Sequence, residues 1–230
     1  MRLFLYGERF VMRLVLFSIM VLALPANAAD PFTLKSAKLA IPDAVTEPIR
    51  ELLDDQAVQF ADAKGLVGTF WFRRELKADA TATQVKNGLT YRELPMTTVV
   101  GVLKLERTWV DFRRQEIEPG VYTMRLAVQP KTGDHDGTAP YTDFCLLVPA
   151  AKDEKAAEMA LKDLIEMSGE STGSTHPGVV LLFPNYQPSD TPKVVAKDKG
   201  IVLLQVKRLV KAGTQQTHLG SAFTIAGVTE

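Results

Sequence analysis

The sequence predicts a β-rich chain, all-β or β-rich α+β. The expected form is an antiparallel β-sandwich with one embedded helix of about 15 residues and a short N-terminal helix. Three observations carry this. Short apolar or alternating runs recur along the chain, separated by Pro, Gly and Asp turn signals. Only two stretches show helical spacing. The strand-like runs, about nine or ten of them, do not alternate with helices as a parallel α/β fold requires.

The first 28 residues stand apart from this pattern. Arg2, Arg9 and Arg13 precede an unbroken apolar run from Leu14 to Leu24, and Pro25 and Ala26-Asn27-Ala28 follow it. A charged region, an apolar core and small residues at alternate positions make a cleavable secretory signal with the cut after Ala28. The apolar run is about half the length a helix needs to span a bilayer, so no membrane anchor is expected after cleavage. Met12 opens a more usual signal by itself, so either Met1 or Met12 suits the start. The expected organisation is a signal peptide over 1–28 and a single β-sandwich domain over 29–230, periplasmic or extracellular.

In the mature chain, Thr46 is placed to cap a helix with Pro48 in its first turn and Ile49, Leu52 and Leu53 on one face, ending near Asp54-Asp55. Val58 and Phe60 then alternate with polar residues up to Asp62-Ala63-Lys64-Gly65, and Leu66 to Leu76 resumes as an aromatic strand, so the segment reads as a hairpin. Residues 77–92 lack periodicity and read as loop. Val99 to Leu105 and Trp109 to Arg113 form one long β stretch with a bulge near Arg107. Glu118-Pro119-Gly120 suits a turn. In the strand after it, Tyr122, Met124, Leu126 and Val128 share one face, while Thr123, Arg125 and Gln129 predict a wetter one. Asp143 to Val148 is apolar on both faces and reads as a central strand. Ala157, Ala160, Leu161, Leu164 and Ile165 recur at helical spacing from Asp153 to Met167, with Gly169 as the stop. Strands are then expected over Val179 to Phe183, Lys193 to Lys197, Gly200 to Val210 and Ala222 to Val228.

Charge excludes one function class. Loss of residues 1–28 removes Arg2, Arg9, Arg13 and Glu8 from 27 basic and 27 acidic residues, leaving 24 and 26. Neither sign dominates, and no Lys/Arg run is interleaved with aromatics, so nucleic acid is not an expected partner. The single cysteine, Cys145, has no internal disulfide partner and sits in an apolar strand, where it reads as a small buried hydrophobe.

The segment Trp109 to Pro149 carries Gly120-Val121-Tyr122-Thr123-Met124-Arg125, Gln129-Pro130, Gly133-Asp134-His135-Asp136-Gly137-Thr138, Pro140-Tyr141 and Asp143-Phe144-Cys145-Leu146-Leu147-Val148-Pro149. It resembles an uncharacterised group of exported bacterial β-rich proteins. The likeness extends to the aromatic hairpin near Trp71 and to His176-Pro177-Gly178. What it implies is export and one β-rich architecture; it brings no assigned activity and no functional residue.

Four constellations offer chemistry. Gly169-Glu170-Ser171-Thr172-Gly173 matches the G-x-S-x-G pattern, but a helix precedes it and a Ser/Thr/Pro loop follows, which inverts the strand-to-helix context of a nucleophile elbow. His135, His176 and His218 have no metal-ligand spacing, although loops could gather them. In Phe70-Trp71-Phe72, Trp71 points away from its neighbours and becomes a stacking platform for a sugar or peptide only if that face meets solvent; a packed core is the commoner use. The densest polar stretch is 132–143. Asp134, Asp136, Gly137 and Asp143 fall at positions three, five, six and twelve of an EF-hand register, with Thr132 where the first carboxylate belongs. The flanks read as strands, so this is no EF-hand. Asp134, Asp136 and Asp143 are candidate calcium ligands and, with His135 and Trp71, candidate ligand-binding residues. Plain turn geometry is the favoured account of Gly133, Asp134, Asp136 and Gly137.

No residue is assigned a catalytic role. The sequence therefore supports an exported, non-catalytic domain that binds a protein partner or small ligand, with no cofactor beyond calcium. The alternative is a secreted hydrolase using Ser171 or a His/Asp group.

Overall fold

Alternating apolar positions become strands almost wherever the sequence shows them. The computed structural model describes residues 31–129 and 139–229, and the elements below are those of the described residues. The export segment 1–28 lies outside them, as do Asp134, His135 and Asp136. The chain runs β1 (Thr33–Lys38), α1 (Glu47–Arg50), β2 (Leu53–Asp62), β3 (Gly65–Arg73), β4 (Leu76–Ala78), α2 (Ala82–Asn87), β5 (Val99–Leu105), β6 (Trp109–Val110), β7 (Glu116–Ile117), β8 (Gly120–Val128) and β9 (Asp143–Pro149). It continues with α3 (Leu161–Gly169), β10 (Gly178–Pro184), β11 (Lys193–Ala196), β12 (Val202–Ala212) and β13 (Gln215–Ala226).

Ten strands form one curled, antiparallel sheet in the order β1-β2-β3-β5-β8-β9-β10-β13-β12-β11, and β4 joins it as a parallel partner of β12. The strands do not split into separate sheets, because β10 serves both halves: Gly178 to Leu181 pair with β9, and Leu182 to Pro184 pair with β13. The curl brings the end strands β1 and β11 near each other without a hydrogen-bonded ladder between them. It also brings Phe70 and Phe72 of β3 against Phe223 of β13, with ring centroids 5.9 and 5.2 Å apart. Burying each such ring stabilises the fold by about 1.5–3 kcal/mol.

The concave face carries the main core, with Phe60, Leu103, Met124, Leu147, Leu182 and Leu204 among its members. The convex face is covered in two places. Helix α3 seats Leu164 on Phe144, Leu146, Val148 and Leu181. Helix α1 and the bend before it place Ile49 and Val45 over Leu53, Trp71, Val99 and Val102. Cover on both faces explains why β9 is apolar at every position from Phe144 to Val148, and it is a central strand as expected. Among the described residues no helix is long and apolar enough to cross a membrane.

The β2–β3 hairpin turns where expected, with Lys64 N donating to Asp62 Oδ1 at 2.8 Å and Gly65 at φ +112°, a value that suits glycine. Other elements differ from expectation for identifiable reasons. Residues 77–92 are not simply loop: Thr81 with Gln84, and Thr90 with Glu93, form two capping boxes that start α2 and a 3-10 turn over Tyr91–Glu93. The long β stretch is interrupted at 106–108, where a bulge near Arg107 was expected, and it ends at Asp111, where the chain doubles back so that β6 pairs with β7.

The embedded helix is nine residues, Leu161–Gly169, rather than about 15 from Asp153. Residues 153–160 are drawn elsewhere. Arg125 donates to the carbonyls of Lys155 and Ala157, and Thr97 exchanges two hydrogen bonds with Met159. The supposedly wetter face of β8 is in fact sealed, since Thr123 and Arg125 are both 0% exposed beneath this segment.

Candidate functional site

The sequence candidates are dispersed, and most have a structural task. Ser171 is buried, and its Oγ donates to Ser168 O at 2.7 Å on the way out of α3. His176 and His218 are both exposed. His176 precedes the first residue of β10, whereas His218 pairs with Leu209 beyond the last residue of β10, so the two imidazoles sit toward opposite ends of the ladder. Neither accepts the Ser171 proton. Cys145 is 0% exposed, and burial pushes its thiol up, away from the reactive thiolate.

Trp71 needed a solvent-facing ring to act as a stacking platform; it is 3% exposed, packed under α1, with its indole N–H donating to Leu39 O at 3.2 Å. Asp143 opens β9 beside Arg92, whose Nε stands 3.1 Å from Asp143 Oδ1 in an ion pair without hydrogen-bond alignment. Burial raises the Asp143 carboxyl, and Arg92 opposes that rise. Among the described residues no three His, Cys, Asp or Glu side chains converge as a metal site. Asp134 and Asp136, the other proposed calcium ligands, lie outside them.

Two buried carboxylates also have settled partners. Asp111 accepts from the backbone N–H of Arg113, Gln115 and Val179 and from Gln115 Nε2, tying the β6–β7 turn to β10 at the edge that β13 leaves unpaired. Asp153 takes Arg125 in a bidentate pair, Nε and Nη2 both at 2.8 Å, and a 2.6 Å bond from Thr123 Oγ1.

Two side chains lack such settlement: Asn185, whose Nδ2 has no hydrogen-bond partner, and the cation Arg208. Along β12, Val202, Leu204, Val206 and Val210 face the concave core, and the pleat puts Arg208 in the same inward row. Its Nη2 donates to Arg73 O, and its guanidinium carbon lies 4.8 Å from the centre of the Phe72 ring. Its Nε is sealed from solvent and has no hydrogen-bond partner. Among the described residues no carboxylate lies within ion-pair distance of it, and Asp54 acts on it by charge from farther away. Burial lowers the guanidinium from its ordinary value to about 10, so it remains charged at neutral pH.

Arg208 lines a cavity of about 10 Å³, room for one water-sized group. Its walls include Phe72, Leu76, Val100, Cys145 and Phe223, with Ser221 and Tyr91 as further polar residues. Tyr91 comes from the 3-10 turn of the β3–β5 connection and enters the β10–β13 ladder as a wedge. Its hydroxyl donates to Phe183 O at 3.0 Å and accepts from Ala222 N at 2.9 Å. Burial raises that phenol, which stays protonated and cannot serve as a base. The arrangement has room for one water beside the guanidinium and, among the described residues, places no nucleophile beside a base. Arg208 escaped the sequence-level search although its signal was present, a lone cation in phase with an apolar strand row.

Comparisons of the chain with protein-family models, with curated proteins and with solved structures each find no match.

Proposed function

We propose that the chain is an exported, non-catalytic domain that binds a small ligand at the concave face of its sheet. The observation that carries this reading is Arg208, a half-buried cation that lines a cavity and whose Nε is sealed from solvent without a hydrogen-bond partner. Sealing a charged donor from water without a partner costs stability, and perturbed ionisable groups cluster at functional sites. Export rests on the pattern over 1–28, and the resemblance to exported bacterial β-rich proteins agrees with it. The two halves of the curled sheet work as the facing layers of a sandwich within one domain over 29–230. The meeting of Phe70 and Phe72 with Phe223 across the core supports that view.

The test is native mass spectrometry of the protein purified from the exported fraction of its host. A retained small molecule, lost on unfolding, is the expected result, with a mature chain beginning at Ala29. Stoichiometric labelling of Ser171 by an active-site serine probe would replace this reading with the hydrolase one.

A further inference from the structure

We propose that Asn87 is a site of self-modification, where the backbone nitrogen of Gly88 closes on the Asn87 side-chain amide and the residue becomes aspartate and isoaspartate with loss of ammonia. Cleavage after Ala28 leaves two asparagines in the mature chain, Asn87 and Asn185, and the fold treats them oppositely. Asn87 is the last residue of α2 and is exposed. Gly88 follows at φ +94°, and beyond its chain neighbours no heavy atom lies within 4 Å of the place a Cβ would take. With no side chain and no neighbour there, its nitrogen is open to ring closure. Asn185 is 9% exposed, is followed by the bulky Tyr186, and sets its carbonyl oxygen in the space a Cβ on Gly220 would need.

In a helix the side chain leans back toward the N-terminus, away from the following nitrogen, so α2 must open at its last turn before the ring can close. That turn is weakly held. The helix has six residues and no buried side chain, well short of the roughly 12–15 an isolated helix needs. Gly88 N–H reaches Val85 O at 3.4 Å, long for such a bond. The other end is fixed by the capping box of Thr81 and Gln84, and the chain is anchored again at buried Leu89 and at the box of Thr90 and Glu93. Opening is thereby confined to the turn that carries Asn87 and Gly88.

The Gly88 nitrogen gives up its proton and bonds to Asn87 Cγ; the Cγ–Nδ2 bond breaks, and Nδ2 leaves as ammonia. Water then opens the cyclic imide. Attack at Cγ restores an ordinary backbone with an aspartate side chain, whereas attack at the main-chain carbonyl leaves the backbone running through Cβ and Cγ as isoaspartate. Either product puts a negative charge at the C-terminal end of α2, where the helix dipole disfavours it. The extra main-chain carbon of isoaspartate also displaces Gly88 N–H from Val85 O.

The test keeps the full mature protein folded in mildly alkaline buffer and follows the peptides containing Asn87 and Asn185 by mass spectrometry, with fragmentation that separates aspartyl from isoaspartyl products. Asn87 is expected to convert roughly tenfold or more faster than Asn185, as a weakly held helix end opens more often than a buried joint, with isoaspartate among the products. Asn87→Gln, whose longer side chain needs a larger ring, should stay unmodified over the same period. In the converted protein, amide hydrogen exchange should quicken from Val85 to Gly88 and stay unchanged along β8. An Asn87 that stays intact in the folded chain while converting in urea shows that α2 protects it and overturns the proposal. Aspartate without isoaspartate overturns the cyclic route, and equal conversion of Asn87 and Asn185 overturns the assignment to the end of α2.

Discussion

Two arginines on well-separated strands of one sheet, β8 and β12, meet opposite fates. Arg125, on the convex side of β8, is 0% exposed and fully answered, by both oxygens of Asp153 and by the carbonyls of Thr97, Lys155 and Ala157. Arg208, on the concave side of β12, has one carbonyl, one aromatic face and an orphaned Nε. The first arrangement organises chain: the whole segment from Asp153 to Met159 is irregular because it is shaped around a guanidinium. The second organises nothing nearby and leaves donor capacity unused. Burial alone therefore says little about an arginine's role; the inventory of its partners separates a structural clamp from a site.

The clamp gives the largest expected effect. Asp153→Ala leaves Arg125 charged and buried without its counter-ion, and unfolding in urea should show a loss of about 3–5 kcal/mol. The paired change Arg125→Met with Asp153→Leu removes both charges and should recover most of that loss. If the single and double variants are equally destabilised, the segment 153–159 is held by its packing and not by the ion pair, and the contrast with Arg208 weakens.

A smaller effect is expected at the wedge beside Arg208. Tyr91→Phe removes a hydroxyl that serves both Phe183 O and Ala222 N, leaving two buried backbone groups without that partner. The cost should be about 1–3 kcal/mol in the same unfolding experiment. Hydrogen exchange at the Ala222 amide should accelerate more than exchange along β8. Equal acceleration in both places would show that the β3–β5 connection supports the sheet globally rather than at this joint.

How far this contrast could be read from the sequence depends on the range of the interactions. The Asp62 to Gly65 hairpin and the apolar run of β9 are local patterns, and they became the elements expected of them. The helix expected from Asp153 had correct periodicity in Ala157, Ala160, Leu161 and Leu164. It lost its first half to Arg125 and Thr97, residues far away in the chain, and no window of local sequence contains that competition. Helix α2 failed to register for the opposite reason. Its capping box at Thr81 and Gln84 is visible, but six residues with no buried side chain offer no periodicity. At the candidate site, Asp143 and Trp71 drew attention by residue type and proved to be an ion-pair member and a packed ring. Arg208 was detectable by the phase of Val202, Leu204, Val206 and Val210, while the unanswered state of its Nε needed the fold.

The smallest expected effect on stability is at Arg208 itself, and it is the most discriminating. In Arg208→Met the apolar replacement keeps the stem that lies against Phe72 and removes the desolvated charge. The variant should match the wild type within about 1 kcal/mol or exceed it. The pH behaviour follows from the lowered guanidinium value of about 10 against an ordinary 12.5. Below about 10 the group is charged in both folded and unfolded chains, so folding exchanges no proton there. The difference between variant and wild type should then stay constant from about pH 6 to about pH 9. Above about 10 the folded wild type sheds its proton while the unfolded chain retains it; the unfolded state then binds more protons, and wild-type stability gains on the variant as pH rises. Urea midpoints for the two proteins across that range measure the difference directly. A variant several kcal/mol less stable than the wild type would place Arg208 beside Arg125 as a second clamp, and the distinction between the two arginines would be lost.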